Sequence, residues 1–499
     1  MGQLTLADIV EGLTGSRVEA PQEISEVVID SRQAKAGSLF VAISGQHVDG
    51  HQYVEHAFQQ GAIAAITHRP VEPYNQSHTL QANPPDPNLL SNIETHLPLC
   101  IQVQDTIKGL QQLAAFWRTK FTPRVIGVTG SVGKSSTKEL VWSVLASRFS
   151  TLKSEGNYNN EIGLPLTLLK LNSSHERAVL EMGMYALGEI SFLCQLAQPH
   201  IGVITNVGPT HLERLGAIER IAQAKAELVQ ALPAAASDEQ GRPIGGVAIL
   251  NYDDPLVRPM ASQTEAQVFT YGLSPEADLW ASEVVSAGLE GIRFILHYQG
   301  DTIHARVPLL GRHSVHTALC AALVGLVEGL SWEEVIAGLQ TLPSSAQLRL
   351  MAVPGPNGST LLDDTYNASP ASTIAALNLL DDLTASKKIA VLGEMMELGS
   401  FEEEGHRKVG CRAAGVVDLL ITIGPRTRFT VDEAKACGLD PASILEFETN
   451  QAAAAYLKTA LEPGNIVLVK GSLSRRMSEI IAILAVNNNE QNDPKVSEV

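Results

Sequence analysis

The 499 residues are 44% hydrophobic and 18% charged, with a net charge of −18 at neutral pH and mean hydropathy +0.06. That length provides for about three globular domains, each with its own core. The acidic balance argues against nucleic acid or an anionic membrane as a general partner, and no run of about 18 apolar residues is present to span a bilayer.

Cys100, Cys194, Cys320, Cys411 and Cys437 are odd in number and far apart, without CxxC spacing, and are expected to be reduced thiols in a cytoplasmic protein. The N-terminus shows no basic segment followed by an apolar one, so no export signal is read.

Residues 1–104 read as alternating strands (26–29, 38–43, 62–67) with a helix at 53–60. Asp30-Ser31-Arg32 and Asp49-Gly50-His51 follow strand ends, where open α/β sheets place ligands. On local sequence alone, ordinary turns are the better account of both. Residues 70–98 are rich in Pro, Asn, Gln and Ser, and predict a long surface excursion. A helix at 105–120 puts Leu110, Leu113, Ala114 and Trp117 on one face.

The next strand, 124–129, runs into Thr129-Gly130-Ser131-Val132-Gly133-Lys134-Ser135-Ser136, a glycine-rich turn that opens a helix. Backbone N–H groups at such a helix start hold phosphate. Lys134 would reach the outer phosphates, and the Ser135 hydroxyl would ligate Mg²⁺. The full P-loop pattern wants glycine where Val128 stands; here the glycines fall at Gly127 and Gly130. A plain strand-to-helix turn with an exposed lysine is the alternative. Strand before, helix after and Lys-Ser in register favour a nucleotide site.

Further strands at 177–182, 201–206 and 246–250 suit a parallel sheet. Residues 278–307 read as antiparallel strands turning at Gln299-Gly300-Asp301, and an Ala/Leu-rich helix runs to about 329. Strands at 360–364, 388–393, 419–424 and 465–471 predict a second doubly wound sheet. The expected division is therefore 1–104, 105–343 and 344–486, with a polar, disordered tail at 487–499.

Three side chains join the P-loop. Glu181 ends an apolar strand, the usual place of a second-strand Mg²⁺ ligand, with helix capping as the alternative. His211 follows a strand end, where a solvated loop histidine and a functional one are equally good readings. Lys225 falls on the apolar face of a helix with Ile218, Ile221, Ala222, Leu228 and Val229. Spacing alone favours a snorkelling lysine. The sharper account is a desolvated amine that reacts with CO₂ to give a metal-binding carbamate.

Three segments together are specific: Asn157-Tyr158-Asn159-Asn160-Glu161-Ile162-Gly163-Leu164-Pro165, Asp363-Asp364-Thr365-Tyr366-Asn367-Ala368-Ser369-Pro370, and Val391-Leu392-Gly393-Glu394-Met395-Met396-Glu397-Leu398-Gly399. With the P-loop, the chain resembles the Mur ligases, amide-forming enzymes of peptidoglycan synthesis, over nearly its whole length. The resemblance implies an α/β fold of three domains: N-terminal UDP-binding, central P-loop ATPase-type and C-terminal Rossmann-like. It implies ATP, two Mg²⁺ ions and a CO₂-derived carbamate on Lys225 as cofactors. UDP-N-acetylmuramoyl-tripeptide and D-alanyl-D-alanine are the implied substrates of a monomeric, cytoplasmic enzyme.

By position, the resemblance assigns Thr129 to Ser136, Asn160, His313, Arg349 and Asp364 to ATP. Ser31, Arg32, Asp49, Gly50, His51, Asn159, Tyr366 and Asn367 fall to substrate. Ser135, Glu181, His211 and carbamylated Lys225 become metal ligands, with Lys134, Glu181, His211 and Lys225 catalytic. The chain departs from the family at Ser314 and Thr317, which replace two asparagines, at Ser369, which replaces another, and across Lys470-Gly471-Ser472-Leu473-Ser474-Arg475, where the spacing is shifted. A folylpolyglutamate synthetase and a nucleotide-binding homologue without turnover are the competing readings.

Overall fold

The computed structural model describes residues 2–45, 48–74, 78–341 and 350–486. The boundary placed at 343, Arg349 and the tail 487–499 lie outside the described residues. Three sheets organise the chain. The first runs Val27–Val28, Leu39–Val41, Ala64–Thr67, Leu99–Gln102, Thr79–Gln81, all parallel.

The second sheet has nine strands. Parallel neighbours run from Thr151–Lys153 through Arg177–Glu181, Arg124–Thr129, Ile201–Ile204, Val247–Asn251 and Gln267–Gly272 to Leu279–Ser286. Ile292–Tyr298 and Asp301–Val307 then add antiparallel edges. The third sheet runs Met351–Pro354, Thr360–Asp364, Asn465–Lys470, Lys387–Gly393, Leu419–Ile423, Ile444–Phe447, with only the first pair antiparallel. The expected three-domain α/β architecture is present.

Two expectations are corrected. Residues 70–98 are not a purely surface excursion: they supply the edge strand Thr79–Gln81 and the helix Pro87–Ser91, and bury Leu80, Leu89 and Ile93 in the core. Polar composition hid those few apolar anchors, and an edge strand needs only one paired side. Cys411 and Cys437 form a disulfide rather than free thiols, their Cα atoms 5.3 Å apart. The bridge links helix Glu402–Ala414 to the end of helix Arg428–Ala436, and a separation of 26 residues in sequence gave no sign of it. The other three cysteines are buried and free.

Packing around the central sheet sets up the site. Helix Thr106–Arg118, capped by the Asp105 carboxylate, lays Leu110, Leu113 and Trp117 into a core continuous with Leu164, Leu168 and Leu180. Helix Ile218–Gln230 lies close on the sheet because Gly127 and Gly202 leave room for Leu228: a Cβ at those glycines would sit 2.9 and 3.1 Å from its side chain. This tight approach carries Lys225 in beside the P-loop strand.

In the third domain His406 is fully buried on helix Glu402–Ala414. Its Nε2 accepts from the Met395 N–H at 3.2 Å, and Nδ1 donates to the Glu402 carbonyl at 2.9 Å. Burial pushes its pKa below the ordinary 6.5, against a smaller upward pull from Glu402. Below the ordinary value the unfolded chain takes up a proton that the folded chain refuses, so stability falls as pH falls through that window. In urea titrations, lowering the pH from about 7.5 to about 5.5 is expected to shift the wild-type midpoint down more than that of His406→Gln. Equal shifts would show that His406 is not a source of acid sensitivity.

Candidate active site

The strand Arg124–Thr129 ends at the P-loop, and Gly133, in the left-handed region at φ 84°, turns the chain into helix Lys134–Ala146. Only glycine takes that conformation without strain. The segment after the neighbouring strand holds the loop in shape. Asn206 accepts from the Val132 N–H at 2.9 Å and donates to its carbonyl at 2.8 Å. Ser131 Oγ exchanges hydrogen bonds with the Gly208 backbone at 2.8 and 3.0 Å. Lys134 Nζ folds back to the Gly130 carbonyl at 2.9 Å.

Two adjoining cavities meet over this loop. The larger, about 890 Å³, is lined by Ser131, Val132, Gly133 and Ser136 at one end, and by Tyr271, His313, Ser314 and Thr317 further along. Asp364 and Lys470 border it from the third domain. The second, about 610 Å³, gathers Lys134, Asn159, Asn160, Glu181, His211, Lys225, Tyr366 and Asn367. Ser131, Thr210, Asn367, Ala368 and Ser369 line both. Both border the P-loop, the first at Ser131, Val132, Gly133 and Ser136 and the second at Ser131 and Lys134.

Glu181 stands opposite Val128 on the strand beside the P-loop strand. Its Oε1 accepts from Asn159 Nδ2 at 2.8 Å, while Oε2 is buried without a hydrogen-bond partner. An unpaired buried carboxylate oxygen is costly and suits a cation. It caps no helix: Gly188 occupies that position ahead of Glu189–Ala197.

His211 sits at φ 57° ahead of helix Leu212–Leu215, with Nδ1 2.5 Å from Glu397 Oε2 and the Tyr185 ring edge-on at 4.9 Å. Lys225 is only 2% exposed, so the snorkelling account fails. Among the described residues its amine has no ion-pair partner. Burial, reinforced by the nearby Lys134 charge, pushes its pKa well below the ordinary lysine range.

Other residues are already committed. Asn160 Oδ1 accepts at 2.9 Å from the N–H of Gly163, the first residue of helix Gly163–Leu168, and Asn160 borders the second cavity but not the larger one. Asp364 and Lys470, paired across neighbouring strands, form a buried ion pair at 2.5 Å, and Lys470 also reaches the Asn367 carbonyl at 2.9 Å. That clamp fixes the Thr365 to Ser369 loop against both cavities. Ser314 Oγ donates to the Leu310 carbonyl at 2.7 Å, and Ser369 caps helix Pro370–Asp382.

The N-terminal candidates gather at their own sheet's edge and line neither cavity. Arg32 is folded onto Asp30 at 2.6 Å, and Asp49 holds His51 Nδ1 at 2.8 Å and Arg69 at 2.7 Å. His56 Nδ1 meets Ser31 Oγ at 3.0 Å, and Gly50 packs against the backbone of Ile43.

Glu397, Asn206, Thr210 and Tyr185 had no assigned role from sequence. Glu397 lies within a quoted motif and Asn206 at a strand end, which were the available signals.

Three family descriptions match the sequence: "Mur ligase family, catalytic domain" over residues 23–118, "Mur ligase middle domain" over 128–325, and "Mur ligase, glutamate ligase domain" over 348–473. The UDP-N-acetylmuramoyl-tripeptide–D-alanyl-D-alanine ligase of Bacillus subtilis is 34% identical over 478 residues, 95% of this chain and 96% of that one. A crystal structure of MurF from Acinetobacter baumannii superposes with TM-score 0.78 at 26% identity, covering 97% and 99% of the two chains. MurF ligase from Thermotoga maritima in complex with ADP gives TM-score 0.73 at 26% identity over 92% and 97%.

Proposed function

We infer the chemistry of the paired cavities from one premise: the chain belongs to the Mur ligase family. It is an ATP-dependent amide ligase that joins D-alanyl-D-alanine to the terminal carboxylate of UDP-N-acetylmuramoyl-tripeptide, giving ADP and phosphate. The finer steps below are our reading. The observation that supports them is the meeting of Lys134, Glu181, His211 and Lys225 with Tyr366 and Asn367 of the third domain around one cavity beside the P-loop.

A carboxylate has no good leaving group, so its oxygen first attacks the γ-phosphorus of ATP and the bond to the β-phosphate oxygen breaks, releasing ADP. The dipeptide amine then attacks the acyl carbon, the bond to phosphate oxygen breaks, and the amine gives up a proton. Two anions must approach in line with their charge neutralised. Lys134 and the N–H groups at the start of helix Lys134–Ala146 hold the phosphates.

Ser135 and Glu181 would hold one Mg²⁺, and Glu181, His211 and carbamylated Lys225 a second. The unpartnered Glu181 Oε2 fits this assignment. When bound, Mg²⁺ supplies Lewis-acid neutralisation of the γ-phosphate and the acceptor carboxylate. Among the described residues no three His, Cys, Asp or Glu side chains form a ready cation site. A carbamate at Lys225 would add the missing anion. Carbamylation joins the amine nitrogen to CO₂ with loss of one proton, which requires the neutral amine that burial favours.

His313 and its neighbours in the larger cavity would receive the nucleoside. Ser31, Arg32, Asp49, Gly50 and His51 would cradle the uridine diphosphate, and Tyr366 with Asn367 would face the dipeptide. No helix among the described residues is long and apolar enough to cross a membrane, and ATP with a nucleotide-linked precursor points to the cytoplasm.

The test is ADP release with UDP-N-acetylmuramoyl-tripeptide, with and without D-alanyl-D-alanine. Sustained release is expected only with both, and no release with folate and glutamate. Release with folate in place of the muramoyl substrate would establish the competing ligase instead.

A further inference from the structure

The contact between His211 and Glu397 joins two domains and has no part in the scheme above. Glu397 follows the strand Lys387–Gly393 of the third sheet, and His211 follows the strand Ile201–Ile204 of the second. Both residues hold left-handed backbone, φ 62° and 57°, a strain that non-glycine residues keep only where surrounding contacts enforce it. The two segments touch through their backbones as well. The Glu213 N–H meets the Glu397 carbonyl at 3.4 Å, and a Cβ on Gly399 would lie 2.9 Å from Glu213 Cα. His211 is braced on its other side by Tyr185, over which Arg214 stacks at 4.5 Å.

An imidazole whose Nδ1 donates to a carboxylate keeps its proton there and leaves the Nε2 lone pair for another partner. We propose that Glu397 is a positioning residue: its carboxylate, delivered only when the third domain sits against the central one, fixes His211 with Nδ1 protonated and Nε2 ready to bind a divalent cation at the phosphates. This rests on the metal-ligand reading of His211. That contact sets the histidine in its binding form; without it the ring would be free to rotate and the cation site weaker.

The test compares Glu397→Ala with Glu397→Gln in the full chain. Both carry the same left-handed backbone cost, so they differ in the side-chain oxygen, which in Gln still accepts from Nδ1. Long-range ¹⁵N spectra of the histidine-labelled, metal-free protein report which ring nitrogen holds the proton, with His211→Gln identifying the signal. The expected result is Nδ1–H in wild type, mixed forms in Glu397→Ala and largely Nδ1–H in Glu397→Gln. The Mg²⁺ concentration for half-maximal ADP release should rise about 10–100-fold in Glu397→Ala, and less in Glu397→Gln. Unchanged spectra and Mg²⁺ dependence in Glu397→Ala, while His211→Gln raises the requirement, would overturn the positioning role alone. An unchanged requirement in His211→Gln would instead remove the metal-ligand reading.

Discussion

Replacing Lys134 with alanine is expected to lower turnover at least about 10³-fold, the scale set by removing one preorganised charge from a site of phosphoryl transfer. The fold should survive, because Lys134 is only half-buried and opens a helix whose core contacts come from Leu140, Val141, Val144 and Leu145. Its Nζ lies 2.9 Å from the Gly130 carbonyl, so the amine already sits over the loop that would wrap the phosphates. In the transition state the γ-phosphoryl group carries charge towards an incoming carboxylate, and no neutral side chain can offset it there. Lys134→Arg should rescue little, since a planar guanidinium does not replace a compact ammonium against a tight backbone loop. ADP release with both substrates at saturating ATP measures the loss, and calorimetric nucleotide binding should weaken alongside. Phosphate release at the wild-type rate in Lys134→Ala would show that the triphosphate lies elsewhere.

What could be read from sequence follows the range of the interactions. The P-loop was legible despite Val128, because a buried strand, a glycine turn and Lys-Ser at a helix start are local features that fix their own geometry. Glu181 was legible for a related reason: the end of a parallel strand beside the P-loop strand has a predictable neighbour. The strand Gln267–Gly272 was missed, being one of several short apolar runs whose role is settled only by pairing with Val247–Asn251.

Lys225 shows the limit most clearly. Helical spacing put it on the apolar face, and spacing alone could not say whether its head reached water. The answer came from Gly127 and Gly202 on two separate strands, which let helix Ile218–Gln230 settle close enough to bury the amine. Glu397 was less visible still, since its partner His211 is 186 residues away in sequence and in another domain. The disulfide and the buried anchors in residues 70–98 belong to the same class of long-range contact.

Lys225→Ala should lose about 10³-fold in ADP release, while nucleotide binding by the Lys134 loop stays substantial. The two effects separate because Lys225 lines the second cavity and not the larger one that would take the nucleoside. Unfolding would not account for the loss. Alanine is the best helix former, so helix Ile218–Gln230 should persist, and a circular-dichroism melt of Lys225→Ala with a cooperative transition is the check. A residue acting only through a positive charge would not be replaced by an anion. A carbamate would: small carboxylates such as formate or acetate, added at high concentration, should restore part of the activity in Lys225→Ala by occupying the vacated space with the same pair of oxygens. Lys225→Arg, which cannot react with CO₂ at this position, should remain inactive without that additive and gain little from it, because the guanidinium fills the gap. Wild-type turnover in Lys225→Ala would retire the carbamate. An inactive variant that carboxylates cannot restore at all would assign the lysine a packing role instead.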